Sequence, residues 1–145
     1  MSVGPTVGSV EQRRQLLRFA RETARRILEN ATIVPTLVTP QINGRFGGVF
    51  VTFWSGQTLR GCVGTFAPTS ALAETIAEVT RSSLADARFA SDPITTAELP
   101  DLEIEISILT EPQPTHDPLS LIPGTHGIIV RRGGRSGCFL PRTAL

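Results

Sequence analysis

The segment from Gly48 to Phe66, "GVFVTFWSGQTLRGCVGTF", runs β-branched and aromatic residues into a Ser-Gly-Gln turn and straight out into a second extended run. A connection that short leaves the two runs antiparallel, as a hairpin. A third run, "LEIEISIL" from Leu102 to Leu109, alternates strictly: Leu102, Ile104, Ile106 and Ile108 face one way, Glu103, Glu105 and Ser107 the other. One face of such a sheet packs on a core, and the other meets water or a cleft. At the C-terminal end "GIIVRRGGRSGCFLP" gives two short strands joined by Gly133 and Gly134, whose permissive dihedrals suit a tight turn.

The cover for the sheet comes from helices. Residues 1–8 read as a flexible Gly/Pro/Ser leader, after which Ser9 and Gln12 form a capping box, predicting a helix from Val10 to about Leu28. Leu16, Ala20, Ala24, Ile27 and Leu28 make its apolar stripe. Arg14, Arg18, Arg21 and Arg25 line another face, where Glu11, Glu22 and Glu29 can pair with them in solvent. A second helix is predicted from about Ser70 to Leu84, capped by Thr69 or Ser70, with Leu72, Ile76, Val79 and the small Ala73 and Ala77 inward. "TTAE", Thr95 to Glu98, repeats the capping logic, but Pro100 limits it to a helical turn. The expected fold is α+β: one domain over residues 9–145, a largely antiparallel sheet with two main helices packed on it.

Composition narrows the chemistry. All fourteen basic residues are arginine, so Schiff-base chemistry and a Walker A lysine are excluded. There is no tyrosine to act as a phenolic acid. A net charge of +1 demands neither a nucleic-acid nor a membrane partner. Two cysteines do not make a disulfide framework, and the N-terminus lacks a signal-peptide pattern, so cytoplasmic residence is the default expectation.

The chemistry-bearing candidate is "LRGCVG". In a regular strand Arg60, Cys62 and Gly64 share a face, and same-face neighbours lie about 6.6 Å apart, so a permanent cation beside the thiol would favour the thiolate. Gly61 and Gly64 leave room beside the sulfur for a ligand, another backbone or a bulge. The same pattern equally describes a small buried core cysteine. His126, flanked by Gly124 and Gly127 at the start of a strand, is the better candidate for a base. It could instead hydrogen-bond backbone to close its turn. His116, among prolines, reads as a loop histidine. Glu103 and Glu105 share a face and become candidates for binding substrate if that face meets the cleft of Arg60. Cys62, Cys138, His116 and His126 match no zinc ligand spacing, so no metal is expected, and a Cys62–Cys138 disulfide is disfavoured in a reducing cytoplasm. Arg131, Arg132 and Arg135 at the last hairpin support a rival reading as an anion- or nucleic-acid-binding module. Against it, Phe66, Phe89 and Phe139 are more simply core than stacking platforms for bases.

Taken in order, "GVFVTFWSGQTLRGCVGTF", "DARF", "ELPDLEIEISILTEPQP" and "GTHGIIVRRGGRSGCFLP" resemble the AMMECR domain family, named for the Alport syndrome, intellectual disability, midface hypoplasia and elliptocytosis chromosomal region. The resemblance runs from the first helix to Pro141. It implies an α+β domain, often encoded beside or fused to a Memo-type protein and a radical S-adenosylmethionine protein, and therefore small-molecule or modification chemistry with those proteins as partners. It names no reaction and implies no cofactor of the domain's own. The chain departs from the family pattern in "DARF" for "DPRF", in "SSLAD" where alanines are usual, and in ending at "LPRTAL" without the usual C-terminal helical segment. The last departure, with apolar groups on both faces of the final strand, leads to an expectation of self-association through that hairpin. The combined expectation is a thiol-dependent enzyme or small-molecule-binding protein with a cleft around the "LRGCVG" strand, against a non-catalytic interaction module.

Overall fold

The computed structural model describes residues 9–31, 46–66, 68 and 71–141. The leader and the expected caps Thr69 and Ser70 lie outside the described residues. Helix α1, Val10–Leu28, begins at Ser9, whose hydroxyl accepts from the Gln12 amide while the Gln12 side chain accepts from the Ser9 amide. Its buried stripe is Leu16, Phe19, Ala20, Thr23 and Ala24, the three- and four-residue spacing of one helical face.

The arginine face behaves as expected at Arg25, which pairs with Glu22 and Glu29. Arg25 and then Arg26 hold the Glu22 carboxyl down to about 2. Arg21 departs from it: its guanidinium donates to the carbonyls of Leu99 at 2.8 Å and Leu102 at 2.6 Å. A residue read as solvated thus ties α1 to the turn that launches the third strand.

Strands β1 (Gly48–Ser55), β2 (Thr58–Thr65) and β3 (Glu103–Leu109) form an antiparallel sheet in the order β2-β1-β3. Gly56, at φ +59°, turns the β1–β2 hairpin. Helix α2, Leu72–Leu84, lies across β1 and β2, and α1 packs on α2 and β3. Both helices cover one face, where Val49, Val51 and Phe53 of β1 and Ile108 of β3 join Leu16, Phe19, Ile76 and Val79 in the main core. The N-cap of α2 is Ala71 with no side-chain cap; instead the Thr75 hydroxyl donates back to the Ala71 carbonyl at 3.0 Å.

Two features depart from the simple pattern. The β1–β2 register shifts between Phe53 and Trp54, where Phe53 opposes Gly61 and Trp54 opposes Leu59, so Arg60 sits in a bulge without a partner on β1. Among the described residues, strands β4 (Ile128–Arg132) and β5 (Arg135–Phe139) pair only with each other, as a hairpin separate from the three-stranded sheet. Gly133, at φ +59°, makes its turn, and Arg132 lies directly opposite Arg135. The hairpin meets the rest of the chain at Leu140, which is buried with Phe50 and Leu109 on the sheet face away from the helices. No helix among the described residues is long and apolar enough to cross a membrane.

Candidate functional site

Strand parity decides what surrounds the thiol. On β1, Val49, Val51 and Phe53 face the helices, so Phe50 and Thr52 face away. Cys62 is directly opposite Thr52, and Thr52 is directly opposite Glu105, so the three form one row across the sheet on the face away from the helices. Thr52 is 3% exposed, and its hydroxyl donates to Cys62 Sγ at 3.1 Å. Cys62 is half-buried and borders the Phe50–Leu109–Leu140 cluster.

Because β2 is an edge strand, the main-chain groups of Cys62 that point away from β1 need partners from elsewhere. They find them in "DARF". The Asp86 carboxylate accepts from the Cys62 amide at 3.0 Å, and the Arg88 guanidinium donates to the Cys62 carbonyl at 3.0 Å. Arg88 also donates to both Asp86 oxygens, at 3.1 and 2.7 Å, and its own amide donates to Asp86 at 3.1 Å. Asp86 is 7% exposed, and Arg88, helped by the amides of Cys62 and Arg88 and opposed by burial, holds its carboxyl down to about 2. Outward-facing main-chain groups also mark Cys62 and Thr52 as a non-hydrogen-bonded pair, the kind whose side chains stand closest, which accounts for the Thr52–Cys62 contact.

One residue further along, Ser83 at the end of α2 bridges the strands. Its buried hydroxyl donates to the Val51 carbonyl at 2.8 Å and accepts from the Val63 amide at 3.0 Å. The departure "SSLAD" is therefore part of the frame that holds β2.

The residues singled out from sequence divide. Arg60 is not engaged with Cys62: carried off by the bulge, its guanidinium donates to Glu98 at 3.0 Å and to the Asp92 carbonyl at 3.1 Å, and its side chain is 11% exposed. The space at the glycines is taken by the protein itself. A Cβ on Gly61 would lie 2.3 Å from the Ser83 carbonyl oxygen, and one on Gly64 2.3 Å from the Phe50 ring. Glu105 shares the Cys62 row, whereas Glu103 is exposed at the far end of β3, opposite Trp54. His126 accepts from the Ile122 amide through Nδ1 at 3.0 Å, which puts its remaining ring proton on Nε2 and closes the turn before β4. Of the aromatics read as core, Phe66 packs edge-on against Phe50 at 4.9 Å between ring centroids, but Phe139 is 59% exposed.

What sequence reasoning missed is the Asp86–Arg88 clamp. "DARF" carried one local signal, since Asp at the start of a short helical turn commonly caps it, as Asp86 does for Ala87–Phe89. Nothing local showed that the same carboxylate reaches back to Cys62. Among the described residues no three His, Cys, Asp or Glu side chains gather as a metal site. A separate open groove of about 510 Å³ runs between the loop at Pro112–Thr115 and β4, with Arg131 at its wall. The Cys138 thiol is pushed up by partial desolvation and then by the charge of Cys62.

Comparison with known proteins places this chain in a family. The AMMECR1 family model matches residues 17–145. A protein of Methanococcoides burtonii is 31% identical over 142 residues, covering 94% of this chain and 70% of the relative. One of Thermotoga maritima is 34% identical over 127 residues, covering 80% and 71%. The crystal structure of an uncharacterized protein from Pyrococcus horikoshii superposes with a TM-score of 0.80 at 31% identity, over 91% of this chain and 70% of that one. The chain belongs to the AMMECR1 family.

Proposed function

We propose that this AMMECR1-family chain acts on, or binds, a small anionic molecule through the Cys62 thiol. The observation that carries the reading is that Cys62 is fixed at three atoms at once: its amide by Asp86, its carbonyl by Arg88 and its sulfur by Thr52. A buried carboxylate spent on the peptide of one half-buried cysteine is the arrangement that positions a working side chain, since sites need their supporting groups locked to well under an ångström. In this reading Cys62 is the nucleophile or ligand-binding thiol. Asp86 and Thr52 are positioning residues. Arg88, whose side chain is 59% exposed while it holds Asp86, offers a cation at the rim for a carboxylate or phosphate. Glu105, at the other end of the row, is the acid–base candidate, about 10 Å away across two strand spacings, so a substrate would have to span β1 to use both.

A competing reading, a non-catalytic interaction module, is favoured by the exposure of Val130 at 58% and Phe139 at 59% on the β4–β5 hairpin. Charge preference in alkylation separates the two. In a Cys138→Ser background, which leaves one thiol, iodoacetate should outpace iodoacetamide at Cys62, relative to a free thiol, by about tenfold, the effect of one cation a few ångströms away at a partly exposed site. Arg88→Gln should abolish that preference and Arg88→Lys retain part of it. A Cys62 that prefers the neutral reagent to the same degree as a free thiol would remove the anion-binding thiol site and leave the interaction module.

A further inference from the structure

Cys62 and Cys138 are the two cysteines of the chain, and they lie in different sheets. The β4–β5 hairpin makes no hydrogen-bonded pairing with the three-stranded sheet. It is seated by Leu140, buried at 8% exposure in the cluster that Cys62 borders. Cys138 lies two residues before Leu140. In extended chain that spacing puts both side chains on one face, about 7 Å apart, with Phe139 pointing the other way. By that parity Cys138 shares its strand face with Leu140, whose cluster Cys62 borders. The upward push on the Cys138 thiol, from desolvation first and then from the charge of Cys62, accords with that placement.

We propose that Cys62 and Cys138 form a reversible disulfide, with a hydroperoxide as oxidant, that ties the β4–β5 hairpin onto the three-stranded sheet and takes the Cys62 thiol out of use. Cys138 is exposed and meets the oxidant first. Its sulfur attacks the peroxide oxygen, the O–O bond breaks, and an alkoxide leaves and takes up a proton, giving the sulfenic acid. Cys62 sulfur then attacks the sulfenic sulfur, the S–S bond forms, the S–O bond breaks, and water leaves. Two thiols lose two electrons and two protons; the hydroperoxide becomes an alcohol and water. A thiol reductant reverses the bond by exchange. The bond joins residues far apart in sequence and fixes an element otherwise held at its end, which is where a cross-link constrains the chain most. The inference requires only that the two sulfurs can meet, and it stands or falls separately from the anion-binding role of Cys62.

The test uses the full chain at low micromolar concentration with equimolar hydrogen peroxide. The expected product is a monomer lighter by about 2 Da, with the Cys62 and Cys138 peptides linked in a non-reducing digest and a rate independent of protein concentration. Its melting temperature should rise and return on reduction. Cys138→Ser, at an exposed position, should give no such linkage, leaving Cys62 as a sulfenic acid or an intermolecular dimer at equimolar peroxide and carrying it to sulfinic acid with two or more equivalents. Phenylarsine oxide, which bridges two neighbouring thiols without oxidation, should protect Cys62 from alkylation in the native sequence and not in Cys138→Ser. Two thiols that oxidise independently in the native sequence, or a linkage whose yield grows with protein concentration, would overturn the proposal, as would equal arsenical protection in both proteins.

Discussion

Asp86→Ala should destabilise the fold by about 3 kcal/mol, the range expected when one partner of a buried charged pair is removed and its hydrogen-bonding groups are left without an acceptor. Asp86 accepts from the Cys62 amide, the Arg88 amide and the Arg88 guanidinium, so its loss strands the outward amide of an edge strand and frees the side chain that grips the Cys62 carbonyl. The same carboxylate sets an acid limit. Its folded value, about 2, lies below the ordinary 3.8. A depressed carboxylate contributes stability that is fully present above the unfolded value and is lost as pH falls through the folded one, so the window runs from about pH 4 down to about pH 2. Across it the contribution is about 2 kcal/mol. Glu22 is depressed into the same window by Arg25 and Arg26 on the surface of α1, so the native acid transition combines both groups. Asp86→Asn isolates the buried one: it should lower the urea midpoint at pH 7 and flatten the loss of stability between pH 4 and 2. An Asn variant matching the native protein in both measurements would mean that the clamp holds nothing.

Local features of the sequence were read correctly because each is decided by residues that sit close together in the chain. Ser9 and Gln12 satisfy each other within one turn, Leu102 to Leu109 alternate within one strand, and the Gly133–Gly134 turn needs only its own dihedrals. The site was legible only where it follows strand parity, as for Cys62 and Glu105. Parity failed at Arg60, because one shifted register step removes it from the Cys62 side, and a bulge is invisible to an alternation that already contains glycine. It was silent about Asp86 and Arg88, whose partner lies 24 and 26 residues back and is reached only because α2 ends over β2. That Gly61 and Gly64 carry no side chain is plain in the sequence, but sequence cannot say whether a ligand, a ring or a carbonyl takes the space. Here the Ser83 carbonyl fills one, and the Phe50 ring together with the Val49 carbonyl the other.

That distinction gives the sharpest mutational contrast. At a strand glycine with ordinary φ, alanine normally stabilises by up to about 1 kcal/mol, through the unfolded chain's lost freedom. Gly61→Ala should instead cost about 3 kcal/mol or more, because its Cβ would stand 2.3 Å from the Ser83 carbonyl oxygen and 3.3 Å from the Ser83 carbonyl carbon. Backbone cannot step aside as a flexible side chain would, and Ser83 is pinned by its own hydroxyl to Val51 and Val63. Relief therefore requires the end of α2 to lift from β2. Asp86 follows that end by two residues, so the lift would pull its carboxylate from the Cys62 amide and open the clamp. Amide exchange at Cys62 should accelerate together with the fall in the urea midpoint. Gly137→Ala is the control: a Cβ there meets nothing within 4 Å, and its change should stay within about 0.5 kcal/mol. A Gly61→Ala protein as stable as the control, with the Cys62 amide still protected, would show that α2 does not bear on β2 at this point, and the clamp would then have to be held by Asp86 and Arg88 alone.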